Sequence, residues 1–443
     1  MSGESGDRGA HQPEDTAPAP AEPAAGRLRS DGMPHSRLAL LAALAGSCAG
    51  LPGESGPPDP PASPASIPLV IENVQIITMT GGPVLSGRTV VIRNGTVDAI
   101  GESGVTRPAG AVLIEGRGRY LLPALIDMHV HINTADLEAY PRNGITTVRN
   151  MWGWPGLIPL TSRVESGELW GPRIISASQG LDAEPVQWPF TVVVANPAAA
   201  AAAVTAQHDM GWRYLKVYSR LSRETYAAVM AEARAAGMIP IGHVPFAVPV
   251  EEALALGQHS IEHLTGYDRA VSRSGRAGTG GWVDADPARY RGLATLSASA
   301  EVWNCPTLTI YVALSTQHPA GERQAIVQQR RLFVRELHAA GALLLAGSDA
   351  GIDVVAPGTS LHDELDELVA SGLTPYEALR AATSEAARFL EVAGLGTVAV
   401  GAPADLLLVD GNPLTDLRRL RRFDGLVHRG AWIPAGAAPA PSR

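Results

Sequence analysis

From about residue 121 onward, short apolar segments alternate with longer helical stretches. The helical stretches 223–236 and 322–340 are clear examples. This alternation is typical of parallel α/β domains, and eight such units match a (β/α)8 barrel. The predicted barrel domain spans 121–394. We predict its strands at 124–131, 144–150, 172–177, 213–218, 239–244, 259–264, 302–308 and 342–348.

The segments on either side of this barrel have a β pattern instead. In the N-terminal segment, Asn94-Gly95 lies between two alternating apolar runs, which is a strong signal for a two-residue hairpin. Neither segment is long enough to form a comfortable domain alone. We therefore predict that 66–120 and 395–434 combine into a small composite β-sandwich domain, so that the fold class is α/β, a TIM-like barrel with this appendage.

The N-terminal region 1–65 is rich in Pro, Ala, Gly and Ser and is predicted to be disordered. Within it, 33–48 has a basic flank, a short apolar core and small residues before Cys48, which resembles a bacterial lipoprotein signal. If translation starts at Met33, a lipidated Cys48 would attach the chain to the cell envelope through a Pro-rich tether. The alternative is a disordered extension on a cytoplasmic protein, favoured by Ala45 where such signals usually have Leu.

Composition excludes several classes of protein. The net charge is −9 and no basic cluster is present, so nucleic-acid binding is not expected. The two cysteines, Cys48 and Cys305, cannot form a disulfide scaffold and have no C-x-x-C companions for a zinc ribbon. A small molecule or short peptide is the expected partner, and a homo-oligomer is compatible with the sequence without being indicated by it.

Lys216 is the only lysine, since the other 34 of the 35 Lys and Arg residues are arginines. It lies in the apolar, β-prone run Tyr-Leu-Lys-Val-Tyr at 214–218, where a buried strand would end. Arg stays charged and cannot become a nucleophile or a carbamate at ordinary pH, whereas Lys can. The surviving lysine therefore indicates a task that requires a primary amine.

Metal-competent side chains occur where the predicted strands end. Barrel active sites form at the carboxyl ends of the strands, so these side chains are expected to surround one mouth. Spacing i, i+2 places the first two on one face of their strand. A lone His-x-His is weak, but six such residues at strand ends are a strong signal for a metal centre. They are His129, His131, Lys216, His243, His263 and Asp349.

The motifs around these residues resemble those of the amidohydrolase superfamily, in particular metal-dependent hydrolases related to imidazolonepropionase and Xaa-Pro dipeptidases. The resemblance covers about 66–434 and includes Leu-Leu-Pro-Ala-Leu-Ile-Asp-Met-His-Val-His at 121–131 and Gly-Ala-Pro-Ala-Asp-Leu at 401–406. The family usually has Gly at the position of Ala124 and Thr at that of Ser348. Both replacements are small.

The resemblance implies two divalent ions bridged by Lys216 after its carboxylation by carbon dioxide. Its carbamate would be anionic and would offer two oxygens to the ions. Nitrogen and oxygen ligands without thiolate suit zinc best, with manganese, cobalt or iron as alternatives. The implied ligands are His129, His131 and Asp349 for one ion, and His243 and His263 for the other.

The expected reaction is hydrolysis of an amide or peptide C–N bond in a small peptide or cyclic amide. Water activated between the two ions would attack the carbonyl, while Asp349 takes its proton and passes it to the leaving nitrogen. Tyr218 shares the inward face of Lys216 and would hydrogen-bond the carbonyl or the developing oxyanion. The alternative for Tyr218 is an aromatic ring that simply fills the barrel mouth.

Other functions remain open from the sequence. One is a mononuclear site of the imidazolonepropionase or deaminase type, with Lys216 uncarboxylated. Others are lactone or phosphotriester hydrolysis on the same barrel, and a catalytically inactive surface binding protein.

Five further residues have two interpretations or a weak signal. Asp127 would support the metal site or pack inside the barrel. His362 is predicted to be a solvated residue at a helix start rather than part of the substrate pocket. The aromatic residues Trp152, Trp154 and Trp188 would line a substrate pocket or pack within their loops.

Overall fold

The computed structural model describes residues 67–102 and 105–437, which belong to one compact unit of the chain. The predictions for 1–65, including the segment 33–48 with Cys48 and the Pro-rich tether, lie outside the described residues. None of the helices in the described ranges is both long enough and apolar enough to span a bilayer.

Short strands and helices alternate through most of the described chain. The strands are β1 Leu69–Ile76, β2 Leu85–Arg93, β3 Thr96–Gly101, β4 Val112–Glu115, β5 Tyr120–Pro123, β6 Leu125–Val130, β7 Ile145–Asn150, β8 Arg173–Ser176, β9 Leu181–Asp182, β10 Val192–Val193, β11 Tyr214–Val217, β12 Ile239–Gly242, β13 Ser260–Glu262, β14 Trp303–Cys305, β15 Leu343–Leu344, β16 Leu406–Val409, β17 Phe423–His428 and β18 Ala431–Pro434. The α-helices are α1 Ala139–Arg142, α2 Leu157–Glu165, α3 Ala200–Asp209, α4 Arg223–Ala235, α5 Val250–Ala255, α6 Tyr267–Val271, α7 Thr279–Val283, α8 Tyr290–Ser299, α9 Leu308–Ser315, α10 Ala320–Ala339, α11 Thr359–Ala370, α12 Pro375–Ala381 and α13 Ser384–Leu390. Short 3₁₀ turns occur at Thr134–Asp136, Pro197–Ala199, Pro287–Arg289 and Leu417–Arg421.

Strands from both ends of the chain share one mixed sheet. Its order is β18-β17-β16-β5-β1-β2-β3, and β4 pairs alongside β1. The predicted hairpin joins β2 and β3, with φ of +50° at Asn94 and +76° at Gly95, values that a two-residue turn of this hand requires. Strands β1 to β5 and β16 to β18 form this one sheet, so a sandwich of two sheets stays a prediction.

The sheet is attached to the rest of the molecule through its second face. Along β16, Leu406 and Leu408 point into the core of the sheet itself, whereas Leu407 and Val409 belong to the large core of the α/β part. This alternation follows from the two-residue period of a strand. Full burial of each such aliphatic side chain is worth about 1.5–3 kcal/mol, so both faces favour a compact unit.

The α/β part contains a counterpart of each of the eight predicted strands, and the match in residue range is close for β6 to β8. These strands are parallel but fall into two sheets, β6-β7-β8 and β10-β9-β11-β12-β13-β14-β15, rather than one continuous cylinder. Single parallel bridges, Ala177 to Tyr214 and Val130 to Ala350, connect the two sheets. The architecture is therefore TIM-barrel-like, with isolated bridges between the two sheets in place of a continuous ladder.

Several strands end earlier than predicted, and two site residues at or beyond such strand ends have a left-handed backbone. His263 and Asp349 have φ of +61° and +62°, in the left-handed region that non-glycine residues rarely occupy. A residue in this region cannot continue a β ladder, so the chain turns there. Both residues are predicted site residues, and the turns aim their side chains into the mouth instead of along the strand.

Candidate active site

The six predicted metal-competent residues lie together at the carboxyl ends of the parallel strands. His129 is in β6 and Lys216 in β11, and the other four directly follow β6, β12 and β13 or lie a few residues after β15. The imidazole rings form a chain in which neighbouring centroids are 5.5 Å apart for His129–His131, 4.5 Å for His129–His263 and 4.9 Å for His243–His263. The structure thus brings together residues that are far apart in sequence.

Asp349 lies at the centre of this group. Its Oδ1 is 3.0 Å from Nε2 of His131 and 3.3 Å from Nε2 of His129, and its Oδ2 is 3.8 Å from Nδ1 of His263. Burial opposes ionisation, but the electrostatic interactions of the carboxylate with His263, His129 and His131 hold the pKa of Asp349 well below its ordinary value. The carboxylate is therefore ionised at neutral pH.

Three histidines have one ring nitrogen fixed by a buried side-chain oxygen. Burial lowers the pKa of His129 to about 4 and holds the pKa values of His243 and His263 well below their ordinary value, so the rings are neutral. A neutral ring whose Nδ1 is engaged leaves Nε2 as the atom for a ligand bond. The Nδ1 contacts are 2.8 Å from His129 to Glu262, 2.8 Å from His243 to Ser219 and 2.7 Å from His263 to Thr307.

Two buried polar atoms of this group lack hydrogen-bond partners among the described residues. They are Nε2 of His129 and Oδ1 of Asp349. An unsatisfied buried polar atom costs about 1–3 kcal/mol, so such atoms need a partner. Ligand atoms of His129, His263 and Asp349 lie within 4.8 Å of one another, close enough to contact one cation. The donor set, imidazole nitrogen and carboxylate oxygen, fits a divalent metal ion.

A second cluster of potential ligands is better explained by hydrogen bonding. His129, Glu262 and Cys305 also have ligand atoms within 4.8 Å of one another. However, the Glu262 carboxylate already accepts hydrogen bonds from Arg149, and burial raises the pKa of the Cys305 thiol well above its ordinary value. A neutral thiol is a poor metal ligand, so this cluster supports the first one instead.

Lys216 lies beneath the histidines and is 1% exposed. Within 67–102 and 105–437, its Nζ makes no hydrogen bond or ion pair, while its backbone N–H donates to Ser178 at 2.9 Å. Burial lowers its pKa to about 8, with the carboxylates of Glu262 and Asp349 opposing that shift. Part of the amine is therefore neutral near pH 7 to 8 and available as a nucleophile.

Tyr218 lies beside His243, with ring centroids 4.2 Å apart. Its hydroxyl oxygen accepts a hydrogen bond of 2.7 Å from Nε1 of Trp188. Burial raises the pKa of Tyr218 well above its ordinary value, so the hydroxyl keeps its proton. With its acceptor side engaged by Trp188, the hydroxyl has its proton free for a ligand.

A buried charged network behind His129 was missed by the sequence analysis. Arg149 on β7 donates from Nη2 to both carboxylate oxygens of Glu262, at 2.9 Å each, and from Nε to the carbonyl of Met128 at 2.6 Å. Glu262 in turn binds Nδ1 of His129 and the hydroxyl of Ser260. Strands β7 and β13 are fully buried, and each contains one charged residue. Because buried charges need partners, this pattern could have indicated the pair from the sequence.

Replacing Glu262 with Gln is expected to lower metal affinity about 10–100-fold, because the carboxylate orients His129 through its second nitrogen. It also leaves the Arg149 cation buried without a countercharge, which should cost about 3–5 kcal/mol of stability. Metal titration calorimetry and thermal unfolding measure the two effects. The control is Glu138→Gln, an exposed pair with Arg142 worth only about 0.2–0.5 kcal/mol. Unchanged metal affinity in the Glu262 variant would exclude the orienting role.

The remaining sequence predictions have mixed outcomes. Asp127 supports the site, because its carboxylate accepts hydrogen bonds from the backbone N–H groups of His129 and Ser348 and so ties two site-bearing segments together. Burial raises its pKa to about 7. The prediction of a solvated His362 was wrong: it is 3% exposed, and its Nε2 donates to the carbonyl of Asn143 at 3.0 Å. The N-terminal turns of α11 pack against the barrel, which removes them from solvent.

The sequence profile of the Amidohydrolase family matches residues 120–431, most of the described chain. The chain belongs to the amidohydrolase family. The matched range contains all six residues of the central group. The metal-competent side chains of this amidohydrolase therefore lie within the part of the chain that the family profile matches.

Individual relatives agree with this membership. Adenine deaminase 2 of Rhizobium etli is 27% identical over 387 residues, which cover 82% of this chain and 58% of the relative, so the amidohydrolase spans little more than half of that protein. A solved Xaa-Pro dipeptidase with bound methionine in its active site has a TM-score of 0.67 at 23% identity, covering 83% of this chain and 100% of the other. Bottromycin amidohydrolase has a TM-score of 0.68 at 25% identity, covering 83% and 87%.

Proposed function

We propose that this protein hydrolyses an amide-type C–N bond of a small substrate at a binuclear metal centre. The observation that carries the proposal is the convergence of neutral histidines around an ionised carboxylate, with two buried ligand atoms that have no hydrogen-bond partner among the described residues. When bound, two divalent ions would polarise the scissile carbonyl and lower the pKa of a bound water towards neutrality. Zinc suits the donor set best, and manganese, cobalt or iron would also fit.

The proposed ligands follow the chain of imidazole rings. One ion would contact His129, His131 and Asp349, and the other His243 and His263. The tight triplet of His129, His263 and Asp349 contains residues from both groups. A carbamate on Lys216 would bridge the two ions.

The electrostatics of Lys216 support its carboxylation. An ammonium group at this buried position would repel two divalent cations, and its charge already lowers the pKa of His243 and His263. The neutral amine forms an N–C bond with carbon dioxide and releases one proton, which converts the side chain to an anion. Burial, which depresses the pKa to about 8, supplies the neutral amine that this step needs.

Asp349 and Tyr218 have complementary proposed roles in hydrolysis. As the oxygen of water bonds to the carbonyl carbon, the ionised Asp349 accepts its proton and then delivers it to the nitrogen as the C–N bond breaks. Tyr218 keeps its own proton and donates a hydrogen bond to the carbonyl oxygen, where negative charge develops. Tyr218 lies beside His243, and Asp349 lies 3.8 Å from His263. The rings of His243 and His263 are 4.9 Å apart, so both groups lie along one chain of imidazoles that a substrate carbonyl can approach.

Two kinds of relative bear on the substrate. The likenesses to the Xaa-Pro dipeptidase and to the bottromycin amidohydrolase favour cleavage of an amide bond, for example in a small peptide. The adenine deaminase relative, with the tight single-ion triplet, favours a second candidate: a mononuclear enzyme that releases ammonia from an exocyclic C–N bond while Lys216 remains an amine.

The test combines metal analysis with a substrate panel. Purified protein is analysed by inductively coupled plasma mass spectrometry and assayed with dipeptides, N-acylated amino acids, cyclic amides, adenine, lactones and an aryl phosphotriester, with zinc or manganese added. We expect two ions per chain and amine release from amides that stops on chelation. One ion with ammonia release would identify a deaminase. Turnover restricted to lactone or phosphotriester would overturn the C–N assignment, and two bound ions without turnover of any substrate would indicate a binding protein.

A further inference from the structure

A cavity of about 250 Å³ opens directly beside the catalytic group. Aromatic side chains from the loops after β7 and β9 form most of its wall, and His131 and Gly351 form the side next to Asp349. We propose that this aromatic chamber binds a bulky uncharged group of the substrate, an aromatic ring above all, adjacent to the scissile bond. The inference rests on the proposed function. The defining residues of the chamber are Trp152, Trp154, Trp188, Phe190, Ile132 and Ile352.

The chamber is connected to the reacting atoms by direct contacts. His131 lines it and also places Nε2 at 3.0 Å from Asp349. Trp188 donates to the hydroxyl of Tyr218 at 2.7 Å, and Trp152 meets the Tyr218 ring edge-on at 5.1 Å. A substrate group in the chamber would therefore lie next to a carbonyl held by Tyr218.

The inner wall is fixed before any ligand binds. Trp152 is 9% exposed, and its Nε1 donates to the carbonyl of Pro189 at 2.8 Å. A Cβ at Gly180 would lie 2.1 Å from the Trp152 ring, so only glycine permits this packing. A preformed wall lowers the entropic cost of binding a rigid group.

The outer wall, in contrast, presents apolar surface to solvent. Trp188 is 44% and Phe190 54% exposed, and Phe190 has φ of +61°, an uncommon conformation for a bulky residue. Exposed aromatic side chains clustered at a cavity rim are typical of ligand sites, because a bound apolar group covers them.

The chemistry of the lining selects against charged groups. No Lys, Arg, Asp or Glu side chain of the described residues lines the chamber. The amide of Asn150 is already used, with its oxygen on the N–H of Ile132 and its nitrogen on Ser176 and the Trp152 carbonyl. A charged substrate side chain would lose its hydration without gaining a partner, which is costly. The volume suits one ring, whereas whole drug-sized ligands occupy about 300–1,000 Å³.

The experiment compares matched dipeptides in which one residue is Phe, Trp, Ala, Asp or Lys, placed either on the acyl side or on the amine side of the bond. In one of the two positions, kcat/KM for Phe and Trp should exceed that for Asp and Lys by at least about tenfold, from burial of the ring. Phe190→Ala should lose most of this preference. Phe246→Ala is the control, since Phe246 is 50% exposed after β12 but does not line the chamber.

Each outcome separates the chamber from the proposed reaction. Turnover of dipeptides with equal rates for aromatic and charged residues, or an unchanged preference in Phe190→Ala, would overturn the chamber while the hydrolase survives. If no amide is turned over, quenching of tryptophan fluorescence by N-acetyl-phenylalaninamide is compared with that by N-acetyl-lysinamide. Saturable quenching by N-acetyl-phenylalaninamide alone, weakened in Phe190→Ala, would support the chamber although the proposed reaction had failed. Equal quenching by both compounds, or no quenching, would overturn the chamber.

Trp188→Phe removes the hydrogen bond that Trp188 donates to Tyr218. A lower kcat in this variant, with the preference for aromatic residues retained, would support the assigned contact.

Discussion

Lys216→Arg is expected to reduce kcat/KM by about 10³-fold or more and to lower metal content below two ions per chain. The substitution retains a positive charge that cannot be removed at ordinary pH, so it places a permanent cation where the proposed ions would lie. Lys216 is 1% exposed and its Nζ makes no direct ion pair in the described chain, although the carboxylates of Glu262 and Asp349 interact with it electrostatically. Metal analysis and steady-state kinetics on the same preparation measure both effects.

A second variant separates loss of the anionic bridge from damage to the fold. Lys216→Ala removes the cation and leaves space, so added formate or acetate should restore part of the metal content and turnover, whereas acetamide should not. Circular dichroism and thermal unfolding check that each variant is folded. A Lys216→Arg protein that keeps two ions and wild-type turnover would refute the bridge. If acetamide rescued Lys216→Ala as well as formate or acetate does, an anionic charge would not be what residue 216 contributes.

The grouping of the candidate site residues could be predicted from the sequence because two independent patterns coincide on them. The apolar runs locate the strands, and barrel geometry indicates which ends of those strands carry the site. His243 and His263 can therefore be assigned to the site without knowing which residues surround them. The structure places His263 3.8 Å from Asp349 and His243 beside His263. The same reasoning overestimates strand length: the predicted strand 259–264 includes His263, whose left-handed backbone ends the extended conformation.

Features that depend on a partner distant in sequence were not predictable. Glu262 directly precedes the predicted ligand His263. Its carboxylate accepts a hydrogen bond from Arg149, which lies 113 positions earlier in the chain. The contact between Trp188 and Tyr218 joins two loops whose conformations no local pattern specifies. Strands β9 and β10 have two residues each, too short for any periodicity to register. His362 was misassigned because a helix start is usually solvated, whereas tertiary packing buries this one.

Asp349→Asn is the second substitution with a large expected effect, a fall in kcat of about 10³-fold or more with the fold retained. Asn preserves the size of the side chain but cannot accept a proton from water or deliver one to nitrogen. The Asp349 pKa lies well below its ordinary value, so the wild-type group starts the cycle ionised. Asp353→Asn, an exposed acid on the same loop, is the matched control and should leave kcat unchanged.

The proton-transfer role predicts more than a slow enzyme, because it depends on the leaving group. A p-nitroaniline leaves without needing a proton, whereas an alkyl amine must be protonated as the C–N bond breaks. The Asn variant should therefore lose far less activity on a p-nitroanilide than on the matching dipeptide, at equal metal content. An equal loss on both substrates would mean that Asp349 acts only by holding the ion. Among the described residues, no other ionised carboxylate contacts both His129 and His131. Wild-type turnover of the Asn variant on the dipeptide would exclude Asp349 from the mechanism.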